Sequence, residues 1–140
     1  MISDFLFSNT KMSLVKRSLD TAMLRHGVIS NNIANVNTPN FKKQEVTFED
    51  ELNRAMASDG FRGRVTNSKH IPIGAGSINS VQPKIIMNGR TSMRNDGNNI
   101  DIDEEMSMLS KNTVSYRALA SAMEGELTKI SQAITKAGRV

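Results

Sequence analysis

The sequence predicts a mainly α protein: an elongated pair of long, coiled-coil-like helices at the two ends of the chain, joined by a short central segment. Apolar residues recur every three or four positions over residues 12–36 and again over residues 102–137. All three prolines fall between these two stretches. Only 4% of the residues are aromatic, which argues against a wide globular core.

The N-terminal helix, residues 1–37, is predicted from a 3.5-residue repeat that runs from Met12 to Val36. Seven of the eight seam positions are apolar, and the exception is His26, which we interpret as a packed or register-fixing polar residue rather than a ligand. The helix is expected to end near Asn37, because Pro39 disfavours helix in the residue before it. It starts either after Ser3 or at the capping candidates Ser8, Asn9 and Thr10.

The central segment, residues 38–100, combines turn signals with short apolar runs. FEDELNRAM predicts a short helix near residues 48–58, with its apolar positions at helical spacing. Asn88-Gly89 lies between KIIM and RTSM, which predicts a β-hairpin with a two-residue turn. The remaining central residues are expected to form loops, including a turn cluster at residues 95–99.

The C-terminal helix, residues 101–140, shows the strongest periodicity in the chain. Ten of its eleven seam positions, from Ile102 to Ala137, are apolar. Asp101 with Glu104 gives a capping-box-like start. The last turn carries residues that suit a helix C-terminus, namely Lys136, Gly138 and Arg139.

Both seams need burial, so we expect the two terminal helices to form one packed domain, with neighbouring copies covering what remains. The alternative is a monomeric two-helix hairpin with a closed core. The predicted assembly interface consists of Val15, Leu19, Ile29, Ile33, Leu109, Tyr116, Met123, Leu127, Ile130 and Ile134.

No catalytic, cofactor-binding or metal-binding site is predicted, which indicates a structural protein rather than an enzyme. The chain has no cysteine, and its two histidines, His26 and His70, lack metal-ligand spacing. The acidic stretch after Asp96 fails the spacing of a calcium loop. No apolar run is long enough to span a membrane, and the N-terminus lacks a signal-peptide pattern. A basic nucleic-acid-binding helical protein is the alternative class, but the Lys and Arg residues behind the net charge of +4 are scattered.

Two motifs lie where the helices meet the central segment. NNIANVNTPNFK at residues 31–42 resembles NNIANVNTPGYK, the signature of the bacterial flagellar axial proteins, the rod and hook family. It differs at Asn40, which can adopt the left-handed backbone that glycine favours, and at Phe41. DGNNIDIDEEM at residues 96–106 is similar to the family's DGNNVDLDxEM. The motif residues are Asn31, Asn32, Ile33, Ala34, Asn35, Asn37, Thr38, Pro39, Asp96, Gly97, Asn98, Asp101, Asp103 and Met106.

The resemblance implies a structural subunit of the flagellar basal-body rod, the drive shaft for motility in the periplasm. The short chain, the opening ISDFLF and the brief centre favour a proximal-rod subunit; another rod-family member at another position is the alternative. Such proteins are exported by the flagellar type III apparatus without a cleaved signal peptide, and they assemble helically. Expected partners are further copies, other rod proteins, and ring-junction and export-gate proteins at the rod base, with no nucleic acid and no direct membrane span.

Overall fold

The computed structural model describes residues 10–57, 81–89 and 95–137. The prediction of a mainly α fold, with a long helix towards each end and a small central α and β unit, is confirmed. The sequence-based predictions for the chain before Thr10, for His70, for residues 90–94 and for residues 138–140 lie outside the described residues. The elements in chain order are α1 (Thr10–Ala34), β1 (Gln44–Thr47), α2 (Glu49–Ala57), β2 (Lys84–Met87) and α3 (Ile102–Ala137).

Helices α1 and α3 pack against each other in antiparallel directions. The side-chain amide of Asn32 contacts the Glu105 carboxylate at 3.0 Å, and Asn112 donates to the main-chain oxygen of Ala22 at 2.8 Å. The later residue of α1, Asn32, thus meets the earlier residue of α3, Glu105, as expected for antiparallel helices. At about 1.5 Å per residue, the 25 residues of α1 and the 36 residues of α3 give helices roughly 37 and 54 Å long. The C-terminal end of α3 extends beyond Thr10.

The core lies mainly on the α1 side of the molecule. Buried apolar side chains on α1 include Met12, Ala22, Val28 and Ile29. On α3, by contrast, the buried residues within the described range are two polar ones, Glu105 and Asn112. Helix α3 is thus held through a partly polar contact, and its apolar seam residues are half-buried or exposed. The two helices are in contact, and the contact leaves α3 half covered.

Strands β1 and β2 form a small antiparallel sheet against α1, with Val46 opposite Ile85. Val46 and Val81 are buried, and the Arg17 guanidinium donates to the main-chain oxygen of Val81. The sequence-based prediction placed the KIIM strand next to RTSM through the Asn88-Gly89 turn. RTSM lies outside the described residues. Within them, the KIIM strand pairs with QEVT, some 40 residues earlier, and Val46 on the buried side of the sheet anchors the pair to α1.

The predicted short helix forms as α2, directly after buried Phe48. The main-chain N–H of Leu52 donates to the Phe48 carbonyl at 2.9 Å, which closes the first turn. The Arg25 guanidinium donates to both oxygens of Glu49 at 2.7 and 2.8 Å. This ion pair ties the start of α2 to α1.

Candidate assembly site

The two sequence motifs lie against each other and form one hydrogen-bonded unit, called the motif junction here and made of residues 31–44 and 96–105. Its centre is Asn98, which is fully buried. Its side-chain oxygen accepts the main-chain N–H of Ile100 at 2.8 Å. Asn98 also caps, from a distant part of the sequence, the turn that directly follows the C-terminus of α1. Its side-chain amide donates at 3.0–3.1 Å to the carbonyl oxygens of Asn35, Val36 and Thr38.

The side-chain amide of Asn32, near the end of α1, hydrogen-bonds to the main chain of β1 as a residue of a neighbouring strand would. Its oxygen accepts the Gln44 N–H at 3.1 Å and its nitrogen donates to the Gln44 carbonyl at 2.8 Å. The same nitrogen contacts Glu105 at 3.0 Å. Asn32 and Glu105 are both fully buried. One asparagine thus joins α1, β1 and α3.

Asn99 completes the end of the sheet in a similar way. Its oxygen accepts the main-chain N–H of Lys43 at 2.7 Å, and its nitrogen donates to the carbonyl of Asn88 at 2.8 Å. The Asn88 N–H in turn donates to the Lys43 carbonyl at 2.9 Å. The turn before α3 is therefore bonded into the β1–β2 ladder.

An ion cluster around buried Lys43 and Glu105 closes the junction. The Lys43 ammonium lies 3.0 Å from Glu105, 3.1 Å from Glu104 and 3.7 Å from Glu45. Burial alone lowers the pKa of Lys43, but hydrogen bonds and charge from Glu105 and Glu104 outweigh it, so the pKa lies above its ordinary value of 10.5. Lys43 and Glu105 were missed at the level of sequence. The signal was the basic pair Lys42-Lys43 beside one motif and Glu104-Glu105 inside the other.

Asn40 and Gly97 approach closely in left-handed backbone conformations, with φ of 60° and 79°. The Asn40 N–H donates to the Asp96 carbonyl at 2.9 Å, and Lys42 donates to the Gly97 carbonyl at 2.7 Å. A Cβ on Gly97 would lie 2.7 Å from the Asn40 side-chain oxygen. The left-handed conformation expected of Asn40 is confirmed, and it also explains why a glycine stands at position 97.

Asp101 caps the start of α3, as predicted. Its side-chain oxygen accepts the main-chain N–H groups of Asp103 at 2.9 Å and Glu104 at 3.3 Å. Several other motif residues stay exposed and lie outside the hydrogen-bonded centre. They are Asn31, Ala34, Asn37, Pro39, Asp103 and Met106.

The predicted interface residues divide by helix. Ile29 on α1 is buried, and Val15, Leu19 and Ile33 are half-buried. The residues on α3 that line up along its seam are half-buried or exposed, and Leu127 and Ile134 are 46% and 68% exposed. We call these α3 residues the α3 seam: Leu109, Tyr116, Met123, Leu127, Ile130 and Ile134. Exposed Val114, beside this row, was missed because it falls outside the heptad register.

His26 lines a mainly apolar cleft of about 240 Å³ between α1 and α3, with Met23, Asn112 and Tyr116 among its other walls. His26 itself is exposed. Within the described residues, no group of three or more His, Asp or Glu side chains is placed to hold a metal ion. Nor is any described helix long and apolar enough to cross a membrane.

Comparison with known proteins identifies the family. A family model described as "Flagella basal body rod protein" matches residues 24–42, the end of α1 and the first motif. The flagellar basal body rod protein FlgB of Bacillus subtilis is 34% identical over 130 residues, which cover 93% of this chain and 96% of that protein. Its counterpart in Borrelia hermsii is 40% identical over 113 residues, covering 75% and 81%, and that of Borreliella burgdorferi is 36% identical over 112 residues, covering 75% and 81%. The chain belongs to the FlgB family of flagellar basal body rod proteins and is a structural subunit of the bacterial flagellar rod.

Proposed function

We propose that this chain is a proximal-rod subunit whose α3 seam is the surface on which neighbouring rod subunits pack. The observation that carries the proposal is the exposure of an apolar row along a helix of 36 residues. Tyr116, Leu127 and Ile134 are each more than 40% exposed. A contiguous apolar face of this kind marks an interaction surface in a soluble protein.

Burial of the exposed α3 seam against a neighbouring subunit would be favourable in free energy. Fully burying a Leu or Ile side chain contributes about 1.5–3 kcal/mol relative to full exposure, so half-exposed Leu127 and Ile134 still have a large part of that stabilisation to gain. Helical packing of copies, with unlike surfaces in contact, would bury them. Val15, Leu19, Ile29 and Ile33 on α1 serve mainly to hold α3 within the subunit, because they are buried or half-buried already.

The motif junction supports this function by fixing the position of α3 relative to α1. Asn98 and Asn99 each hydrogen-bond to two separate parts of the main chain, and Asn32 joins the main chain of Gln44 to the Glu105 side chain. A buried polar network with satisfied partners allows one arrangement and disfavours others. The junction would therefore present the α3 seam to neighbours at a constant angle.

The proposed partners and location follow from the family. We propose contacts with further copies and with other rod proteins, and with ring-junction and export-gate proteins at the rod base. The proposed site is the periplasmic rod, reached through the flagellar type III apparatus without a cleaved signal peptide. Support comes from the high coverage of FlgB relatives and from the two rod-family motifs.

The test uses a bacterial strain that lacks the gene, complemented with single variants. Leu127→Asp places a charge in the seam, and its burial between subunits would leave the charge unpaired. Gln132→Asp is the matched control, because Gln132 is exposed on the opposite side of the same turns of α3. Leu127→Asp should abolish swimming and leave basal bodies without complete rods by electron microscopy, whereas Gln132→Asp should support both. Complete rods with Leu127→Asp, at equal protein levels, would refute the α3 seam as the assembly surface.

A further inference from the structure

Strand β2 carries three consecutive apolar residues that stay exposed. Ile85, Ile86 and Met87 are 50%, 45% and 65% exposed. Because side chains alternate along a strand, these residues place apolar surface on both faces of the two-stranded sheet. Exposed apolar strands at a sheet edge favour pairing with another chain.

The outer edges of β1 and β2 differ in whether side chains of α1 bond to them. The outer edge of β1 is covered by α1, since Asn32 bonds both the N–H and the carbonyl of Gln44. The Arg25 guanidinium reaches the carbonyl of Val46 at 3.4 Å on the same edge. Side chains of α1 therefore occupy the place that a third strand would take beside β1.

The outer edge of β2 has no partner strand among the described residues. Both main-chain groups of Gln44 point towards Asn32, so Gln44 and its partner Met87 form a non-hydrogen-bonded pair within the sheet. The antiparallel register makes Val46 and Ile85 a pair of the same kind. The N–H and carbonyl groups of Ile85 and Met87 consequently point away from β1. No side chain or main-chain group in the described parts of the chain bonds to them from that side.

This edge is complementary to itself. An antiparallel second copy of β2 centred on Ile86 places Ile85 opposite Met87 twice, which allows four new main-chain hydrogen bonds. Ile86 then meets its own counterpart, which buries apolar surface on both strands. Lys84 lies opposite neutral Asn88, so no like charges face each other. The charge pattern and the exposed main-chain groups therefore fit a second copy of this chain.

We propose that free subunits pair through β2, edge to edge and antiparallel, to form a four-stranded sheet across a twofold axis. The contact is small and falls in the weak class of interfaces below about 1,200 Å². A twofold contact closes on itself and cannot propagate along a helical rod. The pairing is thus a property of subunits before incorporation: it covers the open edge until assembly separates the two copies. It uses a different surface from the α3 seam and does not depend on that proposal.

The chain contains no cysteine, which makes disulfide trapping a sharp test. The experiment uses the purified full chain carrying Leu127→Asp, so that association through the α3 seam is suppressed. Across the proposed axis, Ile86 faces Ile86 as a non-hydrogen-bonded pair with Cα atoms about 4.5 Å apart, within disulfide range. Ile86→Cys should oxidise to a covalent dimer at least about tenfold faster than Lys84→Cys or Asn88→Cys alone. An equimolar mixture of Lys84→Cys and Asn88→Cys should form the mixed dimer at a rate similar to that of Ile86→Cys.

A second variant removes a single hydrogen-bond donor from the open edge. Ile85→Pro deletes the outward N–H but leaves the β1–β2 ladder, because Ile86 rather than Ile85 bonds to β1 and proline is tolerated on edge strands. It should slow cross-linking of Ile86→Cys at least about tenfold, whereas Ile85→Val should leave it unchanged. Equal rates at positions 84, 86 and 88, no dimer with Ile86→Cys, or an unchanged rate with Ile85→Pro in a folded chain would each overturn the proposal. If the proline variant fails to fold, the equimolar mixture of Lys84→Cys and Asn88→Cys still tests the proposed pairing of the two β2 strands.

Discussion

The Lys43 ammonium lies 3.0 Å from Glu105 Oε1, and the two side chains are only 7% and 0% exposed. This ion pair joins the residue directly before β1 to the first turn of α3. A buried carboxylate in such a position depends on its cationic partner, because water cannot replace it. The pair therefore gives the motif junction its sharpest test of stability.

We expect Glu105→Gln to destabilise the fold by about 2 kcal/mol, because it leaves the Lys43 charge buried with weaker compensation from Glu104 and Glu45. Lys129→Gln is the matched control, since Lys129 forms an exposed ion pair with Glu126 on the same helix. The control should change stability by less than about 0.5 kcal/mol. Urea unfolding monitored by circular dichroism measures both. Equal effects would show that the buried pair contributes no more than a surface pair.

The raised pKa of Lys43 gives a pH dependence with a definite sign. The folded state holds the proton more tightly than the unfolded state, in which the pKa is near its ordinary value of 10.5. The resulting stabilisation is therefore complete below that value and is lost as pH rises through the folded-state pKa. Lys43→Met lacks this contribution. The difference in unfolding midpoint between the wild-type chain and Lys43→Met should stay constant from pH 7 to about pH 9 and shrink above about pH 10.5. A difference that is unchanged at strongly alkaline pH would contradict the assignment.

Asn98 offers a test of the cap on the turn that follows α1. Asn98→Asp replaces a donor that serves three carbonyl groups with a carboxylate that would repel them. We expect a loss of about 3 kcal/mol at pH 7, partly recovered at low pH as the introduced carboxyl is protonated. Asn37→Asp, at an exposed motif position, should have little effect. Chemical denaturation at pH 7 and pH 4 separates the two variants, and identical losses at both pH values for Asn98→Asp would count against the cap.

The close approach of Asn40 and Gly97 predicts a coupling between the two positions. Gly97→Ala should cost about 2 kcal/mol, through backbone strain at positive φ and through the clash with the Asn40 side chain. In an Asn40→Gly background the clash is absent, so the cost should fall to about 1 kcal/mol. Gly125→Ala lies in open space within α3 and should instead stabilise the chain by about 0.5–1 kcal/mol. Additive effects of the changes at positions 40 and 97, measured by thermal unfolding, would rule out the contact.

The helices could be predicted from sequence because their signals are local. The repeat through Met12 and Val36, the cap at Asp101 and the short helix after Phe48 all appear within a few positions of where they form. The left-handed Asn40 was likewise predictable, because the motif marks a position where glycine is usual.

The motif junction could not be predicted, because its contacts join residues far apart in the chain. Asn98 meets Val36 across 62 positions and Lys43 meets Glu105 across a similar gap, and no local period records such pairs. The strand at residues 84–87 shows the same limit. No local signal pointed to β1 as its partner, although the two strands pair around buried Val46.

The central claim is that rod assembly buries the α3 seam, and thiol accessibility tests it most directly. Leu127→Cys and the opposite-face control Gln132→Cys are each introduced into the cysteine-free chain. Each is labelled with a maleimide, both as the free subunit and in purified basal bodies. We expect Leu127→Cys to react readily in the free subunit and at least about tenfold more slowly in the rod, with Gln132→Cys changing less. Equal reactivity of Leu127→Cys in both states would contradict the claim.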